Sequence, residues 1–391
     1  MMLGLTVTHG RQMDNEKIFL SLAHPGGLEI EYIEKAFSGN WITTVGPNID
    51  DFETDLENYL GHNFHVAAMN SGTSAIHLGL ILLGVKQGDT VICQSMTFSA
   101  SANPILYQGA TPVFIDSEKD TWNICPEALE IAVVDGIKKG KKPKAIIAVH
   151  LYGTPYKIDE VRYVANKYNI PILEDSAEAM GSHYNNQKCG TFGDIGILSF
   201  SGNKIITTSA GGAIILKDSG LKQKAIFYAT QSKDDASHFQ HSEIGYNYRM
   251  SNICAGIGRG QMDVLDHHVQ KRRAIHDFYV DLFKDINGVT VFSVPNEDYY
   301  SNYWLTTILV NPAKTGGKTR EDLRLYLERL NIESRPLWKP MHLQPLFEQY
   351  PFYGGTVAEQ LFNEGLCLPS GSNMSVHHLD RIKAAVVTFF K

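Results

Sequence analysis

Between Phe64 and Asp218 the chain alternates short apolar, often β-branched runs with longer stretches of helical period, and few folds accommodate that alternation. Strands separated by helices return to the sheet by crossovers, so the run specifies an α/β domain with a largely parallel sheet. Strands are expected at Val66–Met69, Thr90–Gln94, Thr111–Ile115, Lys144–His150, Ile170–Glu174, Ile195–Ser199 and Gly212–Leu216. Thr73–Leu83 is apolar on most sides and stops at Gly84, the pattern of a buried helix closed by glycine, and Asp159 is the expected cap of a later helix. After Ser251 the character changes to a long amphipathic segment, Ile253–Ile286, followed by a strand over Trp304–Val310 and a helix over Arg320–Leu330. The expected division is a loose extension over 1–17, with Met13 as a candidate start, a large α/β domain over 18–265, and a small C-terminal α+β domain over 266–391. No internal repeat marks a solenoid.

Composition narrows the function classes. A chain of 391 residues, 43% hydrophobic and 20% charged, can bury one large core and a second smaller one. Its apolar runs fall short of the roughly 20 residues that span a bilayer. A net charge of -7 without a basic run argues against general nucleic-acid binding. The Lys138–Lys144 cluster reads as a solvated loop before a strand. The five scattered cysteines, Cys93, Cys125, Cys189, Cys254 and Cys367, contain no CxxC pair; they fit reduced, buried thiols in a cytoplasmic protein better than disulfides or a metal site. The pairs His267-His268 and His377-His378 read as helix-surface residues, and no metal is expected. An anionic ligand must then be held by local donors such as helix N-termini.

Three features carry chemistry. Asn70-Ser71-Gly72-Thr73-Ser74 follows a strand and opens a helix, so its backbone N–H groups can face an anion; small polar residues are equally good helix caps, and context must decide. Ile172-Leu173-Glu174-Asp175 ends a hydrophobic strand in two carboxylates, where α/β sheets place ligands. A buried carboxylate there needs a cationic partner, and a protonated pyridinium nitrogen would supply one. Lys204, in Ser199-Phe200-Ser201-Gly202-Asn203-Lys204-Ile205-Ile206-Thr207-Thr208, lies between flanking strands that should bury its stem, and a desolvated lysine amine can attack a carbonyl. An anion-binding turn, a strand-end aspartate and a later lysine are the parts a pyridoxal 5'-phosphate enzyme requires.

With Glu174-Asp175-Ser176-Ala177-Glu178-Ala179-Met180-Gly181, Gly190-Thr191-Phe192-Gly193-Asp194-Ile195-Gly196 and the lysine block in this order, the chain after Ile18 resembles the DegT/StrS-type nucleotide-sugar aminotransferases. The resemblance implies the aspartate-aminotransferase fold (fold type I), pyridoxal 5'-phosphate as cofactor, and a homodimer with shared active sites. It implies that Lys204 holds the cofactor covalently, that Asp175 contacts its ring nitrogen, that Phe98 stacks on the ring, and that Glu178 lies near the ring hydroxyl. It further implies phosphate contacts from Gly72, Thr73 and Ser199, and from Asn247 of the neighbouring subunit. One departure is Ser209-Ala210, where many members have glycine and glutamate. Relatives that remove a sugar hydroxyl carry histidine at the lysine position, so Lys204 favours amination over dehydration.

Within that family, Phe19–Gly27, Gly202–Thr208 and Arg335–His342 look most like the bacillosamine-pathway branch. That likeness implies transfer from L-glutamate to C4 of UDP-2-acetamido-2,6-dideoxy-4-hexulose, with ping-pong kinetics. Trp41, Arg335, Lys339 and His342 are the candidate substrate contacts, against ordinary packing and surface charge as the competing account. The other readings are a 3-amino or other nucleotide-sugar aminotransferase and a non-catalytic binding protein on the same fold.

Overall fold

The computed structural model describes residues 16–391, so the extension expected over 1–17 lies almost wholly outside the described residues. Eight strands form the large sheet: β1 (His65–Met69), β2 (Thr90–Gln94), β3 (Thr111–Ile115), β4 (Ala145–Val149), β5 (Ile172–Asp175), β6 (Ile195–Ser199), β7 (Gly212–Leu216) and β8 (Phe352–Tyr353). Their order is β1-β7-β6-β5-β4-β2-β3-β8. Only β7 runs against its neighbours, pairing antiparallel with both β1 and β6. The fully apolar run of β4 suits a strand covered on both faces, and β5, although it ends in two carboxylates, is buried along its whole length.

Among the described residues twelve α-helices follow the chain: α1 (Glu29–Ser38), α2 (Pro47–Leu60), α3 (Gly72–Leu82), α4 (Ser99–Tyr107), α5 (Pro126–Lys138), α6 (Ile158–Lys167), α7 (Ser219–Ala229), α8 (Asn252–Met262), α9 (Leu265–Phe283), α10 (Arg320–Arg329), α11 (Val357–Glu364) and α12 (Val376–Phe390). Residues of α3, α4 and α7 pack with Val91 and Cys93 on one face of the sheet, while α5 and α6 pack with Ile92 on the other. The alternation along β2 decides which side chain enters which core. A second, antiparallel sheet joins Val289–Val291, Thr306–Val310, Gly365–Leu368 and Arg335–Pro336, with α9, α10 and α12 supplying its core. Ile18 belongs to that smaller core and β8 to the large sheet, so the chain crosses the expected boundary near 265 at both ends.

Three details differ from expectation. Asp159 does not cap α6: the helix begins one residue earlier, and the Asp159 carboxylate instead accepts from the Tyr184 hydroxyl at 2.9 Å. The segment Ile253–Ile286 is two helices, α8 and α9, broken at Asp263-Val264. The strand expected over Trp304–Val310 starts at Thr306, because the Trp304 and Thr306 amides donate to the side chains of Asn302 and Ser370.

The carboxyl end of β1, which leads into the anion-binding turn, is tied to α2 by a buried ion pair. Glu53 accepts from the Ala68 amide at 2.7 Å and pairs with Arg249, which also donates to the Ala68 carbonyl at 3.1 Å. Lys222 joins Glu53 at 3.1 Å. Removing one partner of a buried pair leaves the other charge uncompensated. Glu53→Ala is therefore expected to lower unfolding stability by about 3 to 5 kcal/mol in a denaturant titration, and Glu53→Gln by distinctly less.

Candidate active site

A cavity of about 490 Å³ opens at the carboxyl ends of β1, β5 and β6, and residues from the approach to the second sheet form its other wall. Asp175 is on its floor, the last residue of β5, in register with Val149 of β4 and Ile197 of β6 and 4% exposed. One carboxylate oxygen accepts from the Ser101 hydroxyl at 2.6 Å and the other from the Ala177 amide at 3.1 Å. Ser101 sits on α4 and is itself held by the Thr97 hydroxyl at 2.7 Å. Neither of these two partners is a cation, so the site holds a buried carboxylate oriented by neutral donors.

The preceding residue solves the same burial differently. Successive strand residues point to opposite faces, and Glu174 turns away from the cavity. Its oxygens accept from the Gly190, Phe192 and Gly193 amides at 2.6, 2.7 and 2.8 Å, and the His150 ring bonds it at 2.6 Å. Asp194 closes the same loop by accepting from the Ile172 amide at 2.8 Å. The glycine-rich stretch 190–196 is thus a structural clasp around β5. Burial alone would push the Glu174 carboxyl up, but the His150 ring and the amide donors reverse this and hold it below the usual carboxylate range.

Lys204 enters from the loop after β6. Its Nζ lies 3.1 Å from Glu178 and 4.2 Å from the centre of the Trp304 ring. Glu178 also accepts from the Tyr152 amide at 2.8 Å, and its carboxyl is raised by burial, with Lys204 opposing the rise. Tyr152 adopts φ of 52°, and its phenol oxygen accepts from the Trp338 amide at 2.9 Å.

At the rim, Ser71 caps α3 by accepting from the Ser74 amide, which leaves the Gly72 and Thr73 amides at the helix N-terminus facing the cavity. Two glycines permit this approach: a Cβ on Gly72 would meet the Ser199 Cβ at 3.0 Å, and one on Gly212 would lie 2.4 Å from the Gly72 nitrogen. Ser209 adopts φ of 70°, the left-handed region that glycine tolerates best, at the position where family members often have glycine.

The cavity therefore brings together Asp175, Glu178, Lys204, Gly72, Thr73 and Ser199, and adds Phe98 and Arg335 at its mouth. Phe98 is 57% exposed and its ring centre is 5.6 Å from that of Trp338. Asn247 is exposed and outside the chain's own cavity, although its carbonyl accepts from Asn70 at 3.0 Å. Trp41, Lys339 and His342 do not line it. Trp41 is half exposed beside Asn252, and Lys339 contributes a carbonyl to Gln344. The His342 ring is occupied by Ser95 at 2.6 Å, Glu359 at 3.3 Å and Phe352 stacked at 3.7 Å. Sequence reasoning missed Ser101 and Trp304; Ser101 could have been found three residues after Phe98, one turn along α4, whereas nothing local marks Trp304.

These residues fit pyridoxal 5'-phosphate. The uncompensated Asp175 suits a pyridinium nitrogen, the α3 N-terminus with Ser199 suits a phosphate, and Lys204 is the amine within the same cavity.

Comparison with known proteins agrees. The DegT/DnrJ/EryC1/StrS aminotransferase family model matches residues 26–387. The chain is 48% identical over 380 residues to the Bacillus subtilis protein EpsN, named as a pyridoxal phosphate-dependent aminotransferase, covering 96% of each chain. It is 35% identical over 364 residues to the GDP-perosamine synthase of Escherichia coli O157:H7, covering 93% of this chain and 96% of that one. A DegT DnrJ EryC1 StrS aminotransferase from Brucella abortus superposes with a TM-score of 0.85 at 29% identity, over 93% of this chain and 95% of the other. The fold is that of fold type I enzymes of this group.

The Glu174 clasp has a pH signature. A carboxyl depressed in the folded state contributes stability above its unfolded pKa, and that contribution is lost as pH falls through the folded value. Glu174→Gln is expected to lower stability at neutral pH by about 2 kcal/mol, and the gap from the unchanged protein should narrow as the solution is acidified below the ordinary carboxylate range. Thermal melts across that range check it; a gap that stays constant contradicts the assignment.

Proposed function

Because the chain belongs to the DegT/DnrJ/EryC1/StrS aminotransferase family, we propose that it moves the amino group of L-glutamate onto C4 of UDP-2-acetamido-2,6-dideoxy-4-hexulose, giving UDP-2-acetamido-4-amino-2,4,6-trideoxyglucose. The observation that carries the reading is the convergence, in one cavity, of the Lys204 amine and a buried Asp175 carboxylate that among the described residues is hydrogen-bonded by a serine hydroxyl and a backbone amide rather than by a cation. Pyridoxal phosphate, when bound, supplies the electron sink that makes the carbon bearing the amino group acidic.

The remaining steps belong to the protein. Asp175, aimed by Ser101, would keep a proton on the ring nitrogen of the bound cofactor. Gly72 and Thr73 amides with Ser199, all lining the cavity, would hold its phosphate, and Phe98 would cover its ring. Lys204 would be the covalent anchor of the cofactor, and its freed amine would be the base that carries a proton from the α-carbon of glutamate to the cofactor in the first half-reaction and from the cofactor to the sugar carbon in the second. Glu178 holds Lys204 at 3.1 Å and would be the residue beside the ring hydroxyl of the bound cofactor. Arg335 at the mouth is placed to meet a diphosphate or carboxylate. The working assembly is a homodimer in which exposed Asn247 reaches the site of the second copy; Trp41, also exposed, is a candidate substrate contact. In this reading residues 18–265, apart from the arm at Ile18, form the cofactor-holding unit and 266–391, apart from β8, the smaller one, and the enzyme acts in the cytoplasm. No helix among the described residues is long and apolar enough to cross a membrane.

A second reading keeps the chemistry and changes the nucleotide, since a GDP-perosamine synthase is among the relatives. The visible absorbance band of the purified, cofactor-loaded protein is expected to collapse when L-glutamate is added, and Lys204→Ala is expected to cut amination by roughly 10³-fold or more. A band indifferent to glutamate, or a fully active Lys204→Ala protein, contradicts the reading. Turnover of paired UDP-linked and GDP-linked 4-keto-6-deoxy sugars, followed by mass spectrometry of the product, decides the nucleotide; the UDP sugar is expected to have the higher kcat/KM.

A further inference from the structure

Arg272, on α9, is among the largest fully buried side chains, and its partners are neutral: the Trp304 carbonyl at 2.6 Å, the Ser370 carbonyl at 3.1 Å and the Ser21 hydroxyl at 3.0 Å. Burial pulls its pKa down to about 9. A guanidinium buried without a carboxylate is costly to keep, and its position shows what it organises. The Ser21 hydroxyl donates to the Asn203 carbonyl at 3.0 Å, and the Trp304 indole N–H donates to that same carbonyl at 2.7 Å. Asn203 immediately precedes Lys204. The Trp304 amide in turn donates to Asn302 at 2.8 Å, and the Asn302 side-chain amide holds the carbonyls of Glu178 and Met180, each at 2.8 Å.

We propose that Trp304, braced from behind by Arg272, is a positioning residue for the reaction: it fastens the Asn203 carbonyl, lays its ring face under the Lys204 amine, and through Asn302 fixes the same frame to Glu178. This rests on the assignment of Lys204 as the proton-transferring base. Such a base must sit within reach of the carbon it serves, and a misplacement of about 1 Å costs on the order of 100-fold in rate. Three segments far apart in the chain, at 21, 272 and 304, meet on the carbonyl before the lysine or on its holder. That convergence suits orientation; Arg272 and Ser21 do not line the cavity.

The test uses the full-length protein with Trp304→Leu, Trp304→Phe and Ser21→Ala. Stopped-flow absorbance of the cofactor-loaded protein mixed with L-glutamate gives the maximal half-reaction rate and the half-saturating concentration. Hydrogen exchange read by mass spectrometry on the cofactor-free protein gives the opening of residues 201–206. Trp304→Leu is expected to slow the maximal rate roughly 10- to 100-fold, to leave half-saturation within about twofold, and to speed exchange in 201–206 by about tenfold. Trp304→Phe keeps a ring face and should recover much of the rate, while Ser21→Ala should speed exchange in the same segment with a smaller loss of rate. An unchanged maximal rate in Trp304→Leu, a loss confined to half-saturation, or exchange that rises equally in β5 and β6 overturns the proposal. If Trp304→Leu does not fold, Ser21→Ala decides: an unaltered 201–206 segment overturns it. A wild-type band that ignores glutamate would instead sink the assignment of function, and the exchange data would still report on the clamp.

Discussion

Carboxylates removed from water must be compensated, and β5 ends in two of them. Because the pleat sends consecutive side chains to opposite faces, Glu174 and Asp175 meet that demand with different partners. Glu174 is satisfied within the fold, by His150 and three amides of the 190–193 turn, and so it closes the loop that delivers β6 to its place beside β5. Among the described residues Asp175 receives a serine hydroxyl and an amide, both neutral, which leaves its charge available to a ligand. The central strand is therefore locked on one side and reactive on the other, and the positions of Ser199 and Lys204 follow from where β6 is held.

The second sheet completes what the first begins. The large sheet supplies the floor and the anion-binding turn, but Trp304 and Arg335 come from the chain around the smaller sheet, and Ser21 from the arm that pairs beside Ile332 and Ser370. Lys204 touches both sets: Glu178 on the side of β5 and the Trp304 ring on the other. An amine between a carboxylate and an aromatic face has few directions left open, and the cavity occupies them.

What the sequence disclosed follows from the range of each interaction. Strand β5 ending in acids, a small-residue turn opening α3 and a lysine after β6 are local patterns, each read within about ten residues, and together they marked the cofactor site. The role of Glu174 was hidden because an acid at a strand end looks the same whether it faces a ligand or a loop. Trp304 was hidden because its partner carbonyl is 101 residues away in sequence. Asp159 looked like a cap from its place before an apolar run, but Tyr184, brought in by the short hairpin at 183–188, engages it instead. The break between α8 and α9 carries no proline or glycine, so the amphipathic pattern runs through it unmarked. His342 and Lys339 read as substrate contacts from their neighbours in sequence, whereas the fold uses the His342 ring to pin β8 and α11.

Strand β8 is two residues long, yet it lies in parallel beside β3 and forms the outer edge of the large sheet. It stands at 352–353 of a 391-residue chain. During synthesis, then, the ribosome makes seven strands of this sheet long before the eighth, and β3 remains an open edge while the whole second sheet except its last strand is being translated. An exposed parallel edge invites pairing with other chains. The Pro112 within β3, which cannot donate to a neighbouring strand, interrupts that edge for as long as it stands uncovered.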